Sequence, residues 1–432
     1  MKILKYPDSE VDKFLKDRTF KVEEEVNKTV KEIVNQVETR GDEALREYTE
    51  KFDEVYLENI AVEEKEIEEA INQVGNNFLK ALKKAIDNIK NFHQKQLREN
   101  WFSSDNKKMT GQLYNPVPRI GAYVPGGRAA YPSSVLMTVI PALVAGVEEI
   151  AVVSPPDKKG KVNPYTLAAL KETGITEIYK VGGAQAIAAL AAGTESIKPV
   201  DKIVGPGNIY VTVAKKQVFG QVDIDMLAGP SEVMILADET ARPDFIAADL
   251  LSQAEHDPQA IPVLVTTSPK LSNEVKVEIK TQLENLSRIK REIAEKSLED
   301  NGKIIIVKNL ETGMDIVNRF APEHFELIIK EPFAYLDQIK NAGAVFIGEY
   351  SSEPLGDYMA GPNHVLPTGG TARFSSPLNT DDFIKKTSII YYQKEGLQEV
   401  EEDIRKIAEL ESLEAHANAV KIRFSDEDRG SK

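Results

Sequence analysis

Cysteine is absent from this chain of 432 residues. A disulfide framework, a thiolate metal site and a cysteine nucleophile are therefore excluded. Histidine is scarce: the five are His93, His256, His324, His364 and His416, so any imidazole chemistry must draw on that set. No apolar run is long enough to cross a bilayer, because the most apolar stretch, Val135 to Val153, is interrupted by Pro141, Gly146, Glu148 and Glu149. An excess of positive charge is missing as well. The 54 Lys+Arg stand against 69 Asp+Glu, a formal net charge of −15, which argues against the basic face of a nucleic-acid binder. The opening MKILKYPDSEVDKF has no apolar core of the kind a signal peptide needs. These absences lead us to expect a soluble, cytoplasmic protein with no nucleic-acid or membrane partner.

What is present is ordinary globular material. Apolar residues make up 41% and charged residues 28%, which rules out a disordered or fibrous chain. The length suggests roughly two to three domains and a core that needs no staples. The first hundred residues are charged and helical in pattern. Ile67, Ile71, Val74, Phe78, Leu82, Ile86 and Ile89 recur every three or four positions, which predicts one long amphipathic helix. His93 continues that stripe and reads as a partly buried helix histidine. From Arg119 short Val/Ile-rich runs alternate with helical segments. Strands are expected at Ile120–Val124, Ile150–Val153, Glu177–Val181, Lys202–Val204, Val233–Ala237, Val263–Thr266, Ile304–Val307, Phe325–Ile329 and Ala344–Ile347. Helices are expected between them at Pro164–Thr173, Ala184–Ala191, Pro243–Glu255 and Gly313–Phe320. This alternation predicts an α/β protein with parallel sheets, and nine strands favour two α/β units over one. One strand runs into Pro155-Pro156 and another into Ser268-Pro269, a faint hint of duplication. After about Asn379 the chain turns polar and helical again and ends in SDEDRGSK.

Three glycine-bearing turns follow expected strands: Val124-Pro-Gly-Gly-Arg, Val181-Gly-Gly-Ala-Gln and Val204-Gly-Pro-Gly-Asn. Such turns let a phosphate approach the backbone, and a following helix N-terminus adds a favourable dipole. None is a full G-x-G-x-x-G, and glycine after a strand is often only a turn residue. Three within one unit, all at strand exits, raise the case for a nucleotide site.

The histidines fall in four further settings. Gln253 and His256, three apart, would share a helix face and suit one metal, although a lone Q-x-x-H is weak. Asp357 and His364 lie in a run rich in glycine and proline. Glu411 and His416 are five apart, about 140° on a helix, so either the helix breaks near Ser412 or the two have different jobs. Pro322 stops a helix and leaves Glu323 and His324 on a junction, where a carboxylate beside an imidazole offers two proton-transfer groups. A surface glutamate with a capping histidine is the plain alternative. The junction also leads into a strand, whereas sites in parallel sheets usually sit where strands end.

The segments GAYVPGGRAAYPSSVLM, VGGAQAIAAL, VGPGNIYV, DMLAGPSEV, LLSQAEHD, APEHFEL, LGDYMAGPNHVLPTGGTARF and LEAHANAV together resemble histidinol dehydrogenase, from about residue 20 to the C-terminal helix. The resemblance implies two incomplete Rossmann-like domains with parallel sheets, plus small N- and C-terminal helical segments exchanged across a homodimer. On this sequence that division becomes an N-terminal helical arm at 1–20 and a first, discontinuous domain at 21–122 and 232–378. A second, NAD-contacting domain would be 123–231 and a C-terminal dimerisation segment 379–432. The resemblance further implies that Gln253, His256, Asp357 and His416 bind one Zn2+ per subunit. Glu323 and His324 would be the proton-transfer pair. Ser231, His364 and Glu411 would hold substrate, together with the metal ligands and His324. Tyr123, Gln185 and Asn208 match NAD-contacting positions. The implied reaction is L-histidinol to L-histidine through L-histidinal, with two NAD reduced. Two nitrogens and two oxygens suit zinc, and a neutral Gln leaves the ion open to further donors. A zinc hydrolase acting on a small amide or ester is the alternative, but it leaves the glycine turns unexplained and lacks H-E-x-x-H. A non-catalytic nucleotide-binding scaffold would make four histidine motifs accidental.

Overall fold

Runs of Val and Ile without polar alternation belong to strands covered on both faces. All nine expected runs form strands in the computed structural model, which describes residues 1–16, 18, 22–126 and 130–425. They divide between two parallel sheets. In spatial order, one sheet runs Ile178–Tyr179, Glu149–Val153, Arg119–Tyr123, Lys202–Val204 and Asp223–Ile224. The other runs Lys2–Lys5, Lys303–Ile306, Ile261–Thr266, Glu232–Ala237, His324–Ile328 and Ala344–Ile347. Counted in chain order from Arg119 and from Glu232, both sheets read 3-2-1-4-5, the second with Lys2–Lys5 added at its edge. This is the doubly wound order short of its last strand, with a switch point between the first and fourth strands. The two strands that run into the proline pairs are each second in their sheet, so the hint of duplication has a structural counterpart.

The chain divides into two compact units, 1–97 with 117–383 and 98–116 with 384–432. The first unit holds both parallel sheets. The second is built on an antiparallel sheet of Trp101–Ser104, Lys108–Pro116 and Ile384–Tyr392, followed by the helices Lys394–Gln398, Glu401–Leu410 and Glu414–Lys421. No described helix is long and apolar enough to cross a membrane.

Several expectations are corrected. Residues 2–5 are a strand and not part of a helical arm: Lys2–Lys5 pairs in parallel with Lys303–Ile306 and buries Leu4. Four residues are too few to show a period, and an open sheet edge offers them partners. The helix Ser9–Lys16 follows, while residues 17 and 19–21 lie outside the described residues. The stripe from Ile67 to Ile89 is carried by two helices, Glu64–Gln73 and Asn76–Gln94, broken at Val74 and Gly75. The resemblance groups these helices, within 21–122, with 232–378; their apolar faces pack on the five-stranded sheet. Ile67, Leu82 and Ile89 share a core with Ile120, Ile150 and Leu167. Val30, Ile33 and Leu45 share another with Ile187, Leu190 and Val213. Amphipathic periodicity states that a face will be buried and not which sheet buries it. The boundary drawn at Tyr123 also cuts the strand Arg119–Tyr123, which belongs wholly to the five-stranded sheet. After Asn379 a single 3-10 turn, Thr380–Phe383, leads into a strand before the α-helices begin, because Ile384–Tyr392 pairs with Lys108–Pro116, far away in sequence. His93 is fully buried in its helix, its Nδ1 2.7 Å from the Gln96 Oε1. Of the terminal SDEDRGSK, only Ser425 is among the described residues.

Candidate functional site

The three glycine turns lie at the carboxyl edge of the five-stranded sheet. The strand Arg119–Tyr123 is first in that sheet and Lys202–Val204 fourth, so its switch point lies between them. Gly205 follows the fourth strand with φ +112°, and a Cβ there would overlap the Tyr123 carbonyl oxygen. Only glycine lets the two strand ends approach this closely. At Gly182 a Cβ would come to 2.5 Å of Pro155 Cβ, and the adjacent Gly183 has φ +65°. The Gly183 N–H donates to the Tyr123 hydroxyl at 3.2 Å, and burial pushes that phenol up to about 12. Gln185 is buried and its Oε1 has no hydrogen-bond partner among the described residues. Asn208 caps the helix Ile209–Val218, its side-chain oxygen accepting from Tyr210 and Val211 N–H. Tyr123, Gln185 and Asn208 thus stand at one sheet edge. Gly127 and Arg128 of the first turn lie outside the described residues.

A short link leads from this edge to the second sheet. Asp225 accepts from Gly205 N–H at 2.7 Å and is ion-paired with the buried Lys215, whose Nζ also donates to the Gly205 carbonyl at 3.0 Å. Residues 225–231 then run directly into Glu232–Ala237, first strand of the second sheet. Seven residues reach at most about 23–25 Å.

Glu323 and His324 lie at the amino edge of that second sheet. The helix Leu310–Phe320 ends in Ala321, which adopts φ +52°, before Pro322. His324 opens the strand His324–Ile328 and pairs in register with Val233. It therefore belongs to the strand's first position and not to a loop. Its Nδ1 stands 3.0 Å from the Glu232 carbonyl oxygen, and its buried Nε2 has no partner among the described residues. The Glu323 carboxyl accepts from Glu232 N–H at 2.9 Å and lies 3.7 Å from His324 Nδ1. One peptide of the neighbouring strand thus holds both members of the pair. Burial pushes the Glu323 carboxyl well above its usual range, while the Glu232 N–H opposes the shift. Burial also lowers His324, so the imidazole is neutral at pH 7. Both are almost fully buried, which removes the reading as a surface glutamate with a capping histidine.

A cavity of about 580 Å³ opens beside the pair, lined by His324, Phe346, Gly356, Asp357, Asn363 and His364 among others. This is the size of an ordinary small-molecule pocket. His364 Nδ1 lies 3.8 Å from Asp357 Oδ1. Burial raises Asp357 to about 6 and lowers His364 to about 4. His324, Glu353 and Asp357 each offer a ligand atom, all within 4.8 Å of one another. Of the four metal ligands implied by sequence, only Asp357 is in this trio. Gln253 is the last-turn residue of the helix Pro243–Ala254, buried and with its Oε1 unpartnered among the described residues. His256 follows just outside that helix and is exposed, its N–H bonded to the Gln253 carbonyl at 3.2 Å. Ser252 on the same helix donates to Glu353 at 3.1 Å, which brings this segment to the edge of the trio. Ser231 is half-buried immediately before Glu232.

Glu411 and His416 lie in the second compact unit, both exposed. Ser412, at φ +60°, separates the helices Glu401–Leu410 and Glu414–Lys421, so of the two alternatives left by the five-residue spacing the break near Ser412 is present. His416 lines a groove within that unit beside Leu397, Ile404 and Arg423. Sequence reasoning missed Glu353 and Glu232. Glu353 lies four residues before Asp357 on continuous helical turns, a spacing that puts two carboxyls on one face. Glu232 carried no local signal, because its backbone does the holding.

A family model described as histidinol dehydrogenase matches residues 16–424. The chain is 52% identical to a histidinol dehydrogenase of Heliobacterium mobile over 98% of this chain and 99% of that one. It is 55% identical to one of Clostridium acetobutylicum over 95% of each. A crystal structure of histidinol dehydrogenase from Elizabethkingia anophelis superimposes with a TM-score of 0.94 at 39% identity, covering 99% of both chains. The chain belongs to the histidinol dehydrogenase family. As a member it is an NAD-dependent oxidoreductase of histidine biosynthesis.

The buried carboxyl of Glu353 generates a prediction. Burial, with Asp249 nearby, raises it to about 7 against the hydrogen bond from Ser252. The native state keeps this proton above the pH at which the unfolded chain loses it, so native stability falls as pH rises toward 7. Glu353→Gln has no proton to lose. In metal-free protein, the stability of this variant relative to the parent should rise by about 2–3 kcal/mol between pH 5 and pH 8. Urea denaturation at the two pH values measures it, and an unchanged difference would show that the carboxyl is not held protonated.

Proposed function

We propose that this chain oxidises L-histidinol to L-histidine through L-histidinal, reducing two NAD, in the cytoplasm. The observation that carries this reading is the clamping of Glu323 and His324 by one peptide beside the cavity that Asp357 and His364 line. Zinc fits the residues present. The buried, unpartnered Gln253 oxygen needs a partner, and Asp357 presents a carboxylate in the same region. Gln253, His256 and Asp357 would hold the ion with His416, and it would supply a template that orients the substrate's amino and imidazole nitrogens. NAD fits the carboxyl edge of the five-stranded sheet, where glycines leave no room for a Cβ and Gln185 keeps a free buried acceptor. When bound there against Tyr123, Gln185 and Asn208 it would accept a hydride in each oxidation.

Two copies pair in this reading, and Glu411 and His416 of each serve the other's site. The exposed Ile407, Leu410, Leu413 and Ile422 of the second unit support an apolar contact of this kind. Ser231, His364 and Glu411 position the substrate.

The chain's own residues then divide the proton work. With its Nδ1–H donated to the Glu232 carbonyl, His324 presents a bare Nε2 that takes the proton of the substrate hydroxyl. The aldehyde must next gain a nucleophile before a second hydride can leave. No cysteine exists to form a thiohemiacetal, so water adds. Glu323 takes the water proton, and its raised pKa makes it the stronger base for that step once ionised. As water adds, His324 returns the first proton to the former aldehyde oxygen, and its freed Nε2 then takes a proton from the hydrated aldehyde as the hydride leaves and the acid forms.

The direct test mixes protein, zinc, NAD and L-histidinol and follows absorbance of reduced nicotinamide. Close to two NADH per histidinol is expected; ester or amide hydrolysis without NADH would favour the zinc hydrolase. Glu323→Gln should slow histidinal oxidation by about 10²–10⁴ while affecting histidinal reduction, which needs no water, far less. Equal impairment in both directions would reduce Glu323 to a residue that orients His324. Sharing of sites is tested by mixing inactive His416→Ala and inactive His256→Ala chains. Each heterodimer should regain one intact site, hence half the activity of a parent dimer. Confirmed heterodimers that stay inactive would place His416 in its own subunit's site.

A further inference from the structure

The N-terminal segment carries none of the eight quoted motifs, yet it places a charged side chain deep against the second sheet. The Arg18 side chain is 7% exposed, and its Nη2 lies 2.5 Å from Glu232 Oε1. Its guanidinium carbon sits 3.3 Å from the centroid of the Phe320 ring, which stacks on Phe14. Nε and Nη1 have no hydrogen-bond partner among the described residues, so the Glu232 contact and the ring are what receive this cation. The Glu232 side chain, 2% exposed, also accepts from Gly369 N–H at 2.9 Å. Gly369 and Gly370 both adopt positive φ, which brings this backbone close to Arg18.

Arg18 therefore touches the start of two paired strands at once. Glu232 opens the first strand, and its N–H and C=O hold Glu323 and His324. Phe320 ends the helix whose exit, Ala321 to Glu323, delivers the pair to the second. We propose that Arg18 and Glu232 are positioning residues: their buried ion pair, braced on Phe320, fixes the peptide that sets the tautomer of His324 and the placement of Glu323. The proposal rests on the reading of Glu323 and His324 as the proton-transfer pair.

The physical logic is that a buried carboxylate keeps its place only while its cation is there. Removing one partner leaves an uncompensated buried charge, which must draw in water or move. Either response shifts the Glu232 peptide, and a displacement well below 1 Å is enough to spoil a proton transfer. Removing both charges leaves nothing to resolvate, so the peptide can stay where Gly369 and the strand hydrogen bonds put it. Apart from His324 the cavity's lining is untouched, so most of the substrate's contacts should be spared.

The test uses zinc-loaded full-length protein with L-histidinol and NAD, comparing Arg18→Met, Glu232→Gln, Arg18→Lys and the double variant Arg18→Met/Glu232→Gln. Each single neutralising change should lower kcat at least tenfold with KM for L-histidinol within about threefold of the parent. Arg18→Lys, which keeps the charge, should recover most of the loss, and so should the double variant. Loss confined to KM, or a double variant as impaired as the singles, would overturn the proposal in favour of a substrate-binding or general structural role. A second readout needs neither activity nor a variant that folds poorly. With five histidines, ¹⁵N-labelled imidazoles give few signals, and that of His324 is assigned by its absence in His324→Gln. The parent should show His324 protonated at Nδ1 and bare at Nε2, and Glu232→Gln should broaden or shift it. The opposite tautomer in the parent would overturn the anchor outright. Absence of NADH formation by the parent would instead sink the functional reading while the imidazole spectrum still tests the anchor.

Discussion

The link of residues 225–231 ties two chemistries together. At its start Asp225 holds the Gly205 turn, and at its end Glu232 holds Glu323 and His324. Seven residues cap the separation of the edge suited to a nucleotide and the edge suited to proton transfer at about 25 Å. Each end is pinned by a buried ion pair, Lys215 with Asp225 and Arg18 with Glu232. Buried pairs contribute little net stability but make displacement of either partner costly, which suits a link whose task is to fix geometry.

Burial also sets the protonation states. Glu323, Glu326 and Glu353 all have carboxyls raised by desolvation, and Glu326 is held further up by Asp249 beside it. A site whose task is to take up protons gains from carboxyls held above their usual range. The neutral His324 fits the same environment, because desolvation penalises the imidazolium as it penalises the carboxylate.

Much of this was legible in the chain. Val/Ile runs located nine strands because a doubly covered strand is apolar along its length, and the five-residue gap from Glu411 to His416 offered, as one of two alternatives, the break that Ser412 makes. What stayed hidden depends on distant partners. Ile384–Tyr392 is a strand because Lys108–Pro116 pairs with it, and Lys2–Lys5 because an edge was open. The helices from Glu24 to Gln94 advertised a buried face without naming the sheet that covers it. Glu353 could have been found from its spacing to Asp357. Glu232 and Arg18 could not, since one acts through its peptide and the other through a contact between residues more than two hundred positions apart.

The position of the acid–base pair looked like an objection, since sites in parallel sheets favour the strands' carboxyl ends. That rule concerns the dipoles and free backbone groups that recognise a phosphate, and the glycine turns obey it on the five-stranded sheet. Proton transfer needs no phosphate site. It needs an imidazole with one nitrogen fixed and the other free, and a first strand residue meets that need. His324 can give Nδ1–H to the carbonyl of the neighbouring strand while its buried Nε2 stays without a partner among the described residues. Two sheets of one strand order, joined from the last strand of one to the first of the other, can then divide the labour between opposite edges.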